Sequence, residues 1–315
     1  MKPVKIGLLG LGNMGQNHLR VLSMLKDIEL SFIFDTDKEK CALLSQEYHV
    51  PILKDINNDY TKVDAIVIAT PTSTHCDHVK QASEFVKYIF VEKPLADSLP
   101  KAEEILRLTK DHELHIQVGF IERYNPAIGA LAEVLSQSRK VLNIDFTRTN
   151  KLSERITDVD VIMDLMIHDI DLAMFFNGPV KRISSYGIAE DGLISFGRAV
   201  LKHENGVYSS LTASRITEKK IRQITVTCED MFIDCNLLGK EILINKQTLV
   251  DQYFDNLFIA SKEETIGLKQ QEPLLSQHLA FVEFCRGNIE QGVPTADNGV
   301  DAISVAETIQ KQIQE

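Results

Sequence analysis

The 315-residue chain carries 34 basic and 45 acidic side chains, a formal net charge of −11, with 44% hydrophobic and 25% charged residues. This is the composition of a soluble globular protein; it excludes disordered, collagenous and low-complexity classes. The acidic balance argues against nucleic acid as a partner, because neutralising phosphates needs a basic face. The length suggests two domains with room for a core that needs no staples.

Residues 1–10 hold one short apolar run leading into a glycine turn, so no signal peptide is expected. No run reaches the ~18 apolar residues of a membrane span. Cys41, Cys76, Cys228, Cys235 and Cys285 form no C-x-x-C pair. An odd, scattered set suits a reducing compartment, and a cytoplasmic location is expected.

Residues 5–10, 30–35, 65–70, 88–92 and 115–120 are short apolar runs bounded by polar or breaker residues, expected as buried strands. Helices are expected between them at 14–25, 38–48, 75–85 and 100–112, the last with Ser98 as cap and Pro100 in its first turn. Such alternation predicts βαβ units and a parallel sheet. The pattern then changes. Helices are expected at 126–137, 159–176, 275–288 and 298–314, and a strand at 141–148. Strand follows strand over 182–188, 196–202, 207–214, 222–227, 231–236 and 241–245, with hairpin signals such as 203–206, which predicts a mostly antiparallel sheet. The boundary is expected at 121/122, giving domains 1–121 and 122–315.

Gly10-Leu11-Gly12-Asn13-Met14-Gly15 follows the first expected strand and opens a helix. In that context the first glycine makes a tight turn, the second lets backbone approach a pyrophosphate, and the third lets helix pack on strand. The helix N-terminus offers free N–H donors to phosphates. Asp35 ends the second strand, 20 residues after Gly15. A carboxylate there accepts from both ribose hydroxyls and repels a 2′-phosphate, which favours NAD over NADP. Thr70-Pro71 ends the third strand, where residues line a dinucleotide or cap the next helix. His75 and His78 lie close in sequence but have no second ligand pair, so they read as helix-start residues and no metal is expected.

Glu92-Lys93-Pro94 ends the fourth strand, at the sheet edge where open α/β sheets bind ligands. A lysine there can donate to a substrate hydroxyl or stabilise its alkoxide; it can also be a solvated surface residue. Asp164 and His168 stand at i, i+4 in an otherwise apolar helix. Polar groups in such a helix need partners or a pocket. His168 is either a proton-transfer group or a core histidine satisfied by a neighbouring Asp. Arg123, Tyr124 and Asn125 follow the fifth strand and are either substrate contacts or a structural turn; an arginine there suits a diphosphate or carboxylate.

Taken together, the glycine turn, Ala69-Thr70-Pro71 with His75, Glu92-Lys93-Pro94, Gly119-Phe120 with Arg123-Tyr124-Asn125-Pro126, and Asp164-x-x-x-His168 resemble the Gfo/Idh/MocA family over nearly the whole chain. The resemblance implies an α/β fold: an N-terminal Rossmann parallel sheet plus a C-terminal α/β domain with a mostly antiparallel open sheet that commonly forms oligomer contacts. It implies an NAD-dependent oxidoreductase acting on a CH–OH group. Lys93, Asp164 and His168 would be catalytic and touch substrate with Arg123, Tyr124 and Asn125. Gly10, Gly12, Asn13, Met14, Gly15, Asp35, Thr70, Pro71, His75 and Glu92 would hold the cofactor. The family's frequent Gly-Gly pair before the Asp is absent from Asp160-Val161-Ile162-Met163-Asp164. With Arg123–Pro126 and His168-Asp169-Ile170-Asp171, this looks more like the branch acting on nucleotide sugars. That branch implies oxidation of the 3-hydroxyl of UDP-N-acetylglucosamine, a homodimer or homotetramer, and a partner aminotransferase in lipid A or surface-glycan synthesis. Two alternatives stay open: a dehydrogenase of a free polyol such as myo-inositol, and a non-catalytic NAD-binding sensor. Either Lys93 or His168 could accept the hydroxyl proton.

Overall fold

The computed structural model describes residues 2–150, 159–190, 192–247, 251–253, 256–258, 261–268, 270–288 and 292–315. The chain divides into two compact units, 1–121 with 272–304, and 122–271 with 305–315.

In the first unit, β1 (Val4–Leu9), β2 (Ile28–Phe34), β3 (Ala65–Ile68), β4 (Tyr88–Val91) and β5 (His115–Val118) form a sheet of order β2-β1-β3-β4-β5. All pairs are parallel. The connecting helices are α1 (Asn13–Met24), α2 (Lys38–Tyr48), the single turn α3 (Ile56–Asp59), α4 (His75–Ser83) and α5 (Leu99–Asp111). β3 is buried at every position, as a strand covered on both faces must be. The order reverses direction at β1/β3, and both carboxyl ends there open onto the glycine turn and Thr70.

The linear division of domains is corrected at the C-terminus. Residues 272–304 belong to the first unit, not the second. The reason is apolar: Phe281, Val282 and Phe284 of α8 (Pro273–Cys285) join the core made by Ile6, Leu8, Leu19 and Phe90. Backbone pairing adds to it, with Val118 N–H donating to Pro294 O at 2.8 Å. The division falls inside α9 (Ala296–Gln314).

In the second unit, β6 (Val141–Thr149), β7 (Val180–Glu190), β8 (Leu193–His203), β9 (Tyr208–Ser214), β10 (Ile221–Cys228), β11 (Met231–Asn236), β12 (Glu241–Gln247) and β15 (Ser261–Gly267) form one sheet. Its order is β15-β12-β11-β10-β6-β9-β8-β7, and β13 (Asp251–Tyr253) pairs separately with β14 (Asn256–Phe258). Pairing is antiparallel except between β6 and β9. Ile144, Phe146, Leu211, Ala213, Ile224, Val226 and Ile233 are buried, while Tyr186, Val200, Tyr208 and Phe232 are exposed on the strands. That alternation marks a sheet with one face in a core and one uncovered. The helices are α6 (Pro126–Ser136) and α7 (Ile167–Asn177).

The helix expected over 159–176 is two pieces. A π turn, Ile162–Met166, precedes α7. Asp160 caps its start: its Oδ1 accepts from Ile162 N–H at 2.9 Å and Met163 N–H at 3.0 Å. Gly197 on β8 lets this turn approach the sheet, since a Cβ there would lie 2.6 Å from Ile162 Cδ1. Among the described residues no helix is long and apolar enough to cross a membrane.

Candidate active site

The glycine turn is built as its spacing predicts. Gly10 takes φ +89°, a left-handed conformation that strains any side chain, and a Cβ on Gly15 would lie 2.0 Å from the Gly10 carbonyl oxygen. Gly12 caps α1, and a Cβ there would meet nothing within 4 Å, so the phosphate approach is open. Asp35 closes the turn from the other side: Oδ2 accepts from Leu11 N–H at 2.6 Å and Oδ1 from Asp37 N–H at 2.9 Å.

Beside this turn lies a cavity of about 550 Å³ lined by Gly10, Gly12, Asn13, Met14, Asp35, Thr70 and Pro71 among others. These residues fit NAD. The backbone N–H groups at the start of α1 face the place of the pyrophosphate, and a carboxylate stands where the adenosine ribose would lie. Gly15→Ala should therefore raise the dissociation constant of NAD at least about tenfold, since backbone meets backbone and the turn must reshape. Titration of the coenzyme by calorimetry checks this; unchanged affinity would mean that the turn does not hold the phosphates.

Three expected cofactor residues sit behind that lining. Gly15 lies under the turn. His75 is buried between two loops, its Nδ1 3.0 Å from Pro94 O and its Nε2 3.0 Å from Thr70 O. Burial pushes its imidazole below the ordinary range, against the pull of those carbonyls. His75 thus ties the ends of two strands together rather than facing the cavity. Glu92 is buried, with Oε1 2.8 Å from His18 Nε2 and Oε2 accepting from Lys93 N–H at 3.0 Å. Lys93 stands half-buried at the carboxyl end of β4, and its bond to Pro94 is cis.

The second unit carries the other expected residues. Asp164 lies in the π turn, with Oδ2 accepting from Arg215 Nη2 at 2.9 Å. His168 is in the first turn of α7, half-buried, with Nδ1 away from solvent. π turns inside helices occur frequently at functional sites. Around them runs a buried ionic cluster that pattern reading missed. Arg148 on β6 grips Asp169 through Nε at 2.8 Å and Nη2 at 2.7 Å, and donates to Glu122 from Nη1 at 2.8 Å. Burial alone would raise the Glu122 carboxyl, but the Arg148 charge outweighs it and holds the group below the usual range.

Arg123 and Asn125 make the contacts of a structural turn. The Arg123 guanidinium is bidentate to Asp171, at 2.8 and 2.6 Å, and lies 5.0 Å from the Phe175 ring centre. A planar fork spent in this way has little left for a diphosphate. Asn125 caps α6 by accepting from Ala127 N–H at 3.1 Å. Tyr124 is half-buried beside them. Among the described residues no group of His, Cys, Asp and Glu could hold a metal ion.

Residues 4–120 match the profile of an oxidoreductase family with an NAD-binding Rossmann fold, and residues 125–233 match the GFO/IDH/MocA C-terminal domain. UDP-N-acetylglucosamine 3-dehydrogenase of Acidithiobacillus ferrooxidans is 27% identical over 76% of each chain. Its solved structure superposes with a TM-score of 0.88 at 22% identity, over 100% of this chain and 99% of that one. Inositol 2-dehydrogenase of Rhizobium meliloti is 27% identical over 61% of each chain.

Proposed function

Because the chain belongs to the Gfo/Idh/MocA family of NAD-dependent oxidoreductases, we propose that it oxidises the 3-hydroxyl of UDP-N-acetylglucosamine to the 3-keto sugar. The observation that carries the substrate is the match to the UDP-N-acetylglucosamine 3-dehydrogenase, which spans three quarters of both sequences where the inositol 2-dehydrogenase spans less.

Gly10, Gly12, Asn13 and Met14 would hold the NAD phosphates, with Asp35 on the ribose and Thr70 and Pro71 along the cavity wall. Bound there, NAD supplies the hydride acceptor. The protein's own part is proton handling and charge. His168 accepts the hydroxyl proton, the role that an imidazole fills near neutral pH. Asp164, held by Arg215, supplies negative charge one turn away for the protonated ring. Lys93, in the first unit, is a donor suited to stabilising negative charge that develops on a sugar oxygen. Tyr124 is the remaining substrate-side candidate. The 3-keto product suits a pathway aminotransferase in lipid A or surface-glycan synthesis, in the cytoplasm. The uncovered sheet face bearing Tyr186, Val200, Tyr208 and Phe232 suits a homodimer or homotetramer.

The test is incubation with NAD and four sugars: UDP-N-acetylglucosamine, its uronic acid, UDP-glucose and myo-inositol. Products are weighed by mass spectrometry, with and without a 2-oxo acid that reoxidises NADH. Loss of two hydrogens from UDP-N-acetylglucosamine alone is expected. Oxidation of myo-inositol instead would replace the substrate, and ligand binding without turnover on any sugar would favour a sensor.

A further inference from the structure

His18 and His278 lie in helices whose pattern gives them no obvious task, yet both are 0% exposed. His18 is on α1, the helix opened by the glycine turn; His278 is on α8, from the segment that returns to this unit. His18 Nδ1 lies 2.7 Å from His278 Nε2, and His18 Nε2 lies 2.8 Å from Glu92 Oε1. The other Glu92 oxygen accepts the main-chain N–H of Lys93 at 3.0 Å. Phe90 packs on both rings, at centre distances of 5.3 and 5.7 Å. Gly119 leaves the room that the carboxylate fills: a Cβ there would be 2.8 Å from Glu92 Oε2.

A carboxylate only accepts, so His18 Nε2 carries the proton towards Glu92. His18 Nδ1 and His278 Nε2 share the second bond, in which one ring donates and the other accepts. Burial pushes the His278 imidazole well below its ordinary range. His278 Nδ1 has no hydrogen-bond partner among the described residues. A core built for packing alone would put leucine or phenylalanine here and avoid these desolvation costs. Instead His278 of α8 bonds to His18 of α1, and His18 bonds to the Glu92 carboxylate just past β4, so each bond polarises the next.

We propose that His18 and His278 are positioning residues for Lys93. They fix the Glu92 carboxylate, which holds the lysine's main-chain N–H and sets where the side chain leaves the end of β4. The inference rests on the reading of Lys93 as a catalytic residue. A displacement on the order of 1 Å at a reacting group costs about 10²-fold in rate, so a buried anchor matters.

The test compares His278→Met, which keeps volume and loses the hydrogen-bonding nitrogen, with His278→Gln, whose amide can replace Nε2 in the bond to His18. The first readout needs no sugar: the rate of reductive methylation of Lys93, relative to Lys101, by peptide mass spectrometry. The second is kcat against KM for NAD with UDP-N-acetylglucosamine. His278→Met should change the relative labelling of Lys93 at least about threefold. It should lower kcat about 10–100-fold with the KM for NAD within about threefold, and His278→Gln should restore both. Glu92→Gln should disturb Lys93 labelling in the same way, which keeps the test open should His278→Met fail to fold. Unchanged Lys93 labelling in folded His278→Met or Glu92→Gln overturns the proposal, as does a His278→Gln protein that behaves like His278→Met. A wild type silent on every sugar, with Lys93 labelling still governed by His278, would overturn the catalytic reading and leave the positioning chain standing.

Discussion

Replacing His168 by alanine should lower kcat about 10²–10⁴-fold, the range spanned by a lost general base. Lys93→Ala should lose about 10²–10³-fold, as when one donor to a developing oxyanion is removed. Neither residue lines the NAD cavity of the first unit, so coenzyme affinity should stay within about threefold of wild type in both. This combination separates chemistry from binding: a loss confined to kcat marks a group that acts in the transition state. The measurement is steady-state turnover beside coenzyme titration. A His168→Ala protein with near-normal kcat would return His168 to the role of a satisfied core histidine.

Arg148→Met should be the most destabilising single change in the second unit. Arg148 is 3% exposed and neutralises Asp169 and Glu122, themselves largely buried. Removing one partner of a buried ion pair costs about 3–5 kcal/mol, because a charge is left inside without compensation. The neutral triple variant Arg148→Met, Asp169→Asn, Glu122→Gln should recover part of that loss. The sign with pH follows from Glu122, the more exposed of the two carboxyls; burial raises the Asp169 carboxyl despite Arg148 and opposes it. Its folded carboxyl is held below the unfolded value of 4.5, so its contribution is present above that pH and is lost as pH falls through the folded value. The gap between wild type and Arg148→Met should accordingly be widest near neutrality and narrow in acid. Urea unfolding at several pH values reads this directly; a loss under about 1 kcal/mol would mean that solvent screens the cluster.

The first unit was legible because its signals are local. Five short apolar runs, a glycine turn and a strand-end Asp35 each carry a reason within a few residues, and β1 to β5 stand within two residues of their expected bounds. The turn α3 escaped because Ile56–Asp59 is too short to show a period. In the second unit, alternation revealed β7 to β12, whereas β15 reads Ser-Lys-Glu-Glu-Thr-Ile-Gly and shows no apolar alternation. What the sequence hid were contacts between distant residues. The apolar face of α8 could have covered either unit, and only its fit against Phe90 and Leu19 decides. The π turn follows a cap in which one Asp160 oxygen takes two N–H groups, which no spacing announces. Arg123 presented the right chemistry for a diphosphate, and its buried partner Asp171, 48 residues on, is what claims it. His18 and His278 were silent for the same reason: 260 residues separate two rings that share a hydrogen bond.

The measurement that tests the central claim most directly uses UDP-N-acetylglucosamine carrying deuterium at C3, incubated with NAD and a stoichiometric amount of enzyme. The reduced coenzyme and the sugar are then weighed separately. The account predicts that the deuterium leaves the sugar and appears in the reduced coenzyme, one label per 3-keto product. Reduced coenzyme without deuterium would place the oxidation at another carbon, and an unchanged sugar with no reduced coenzyme would contradict the assignment of this substrate.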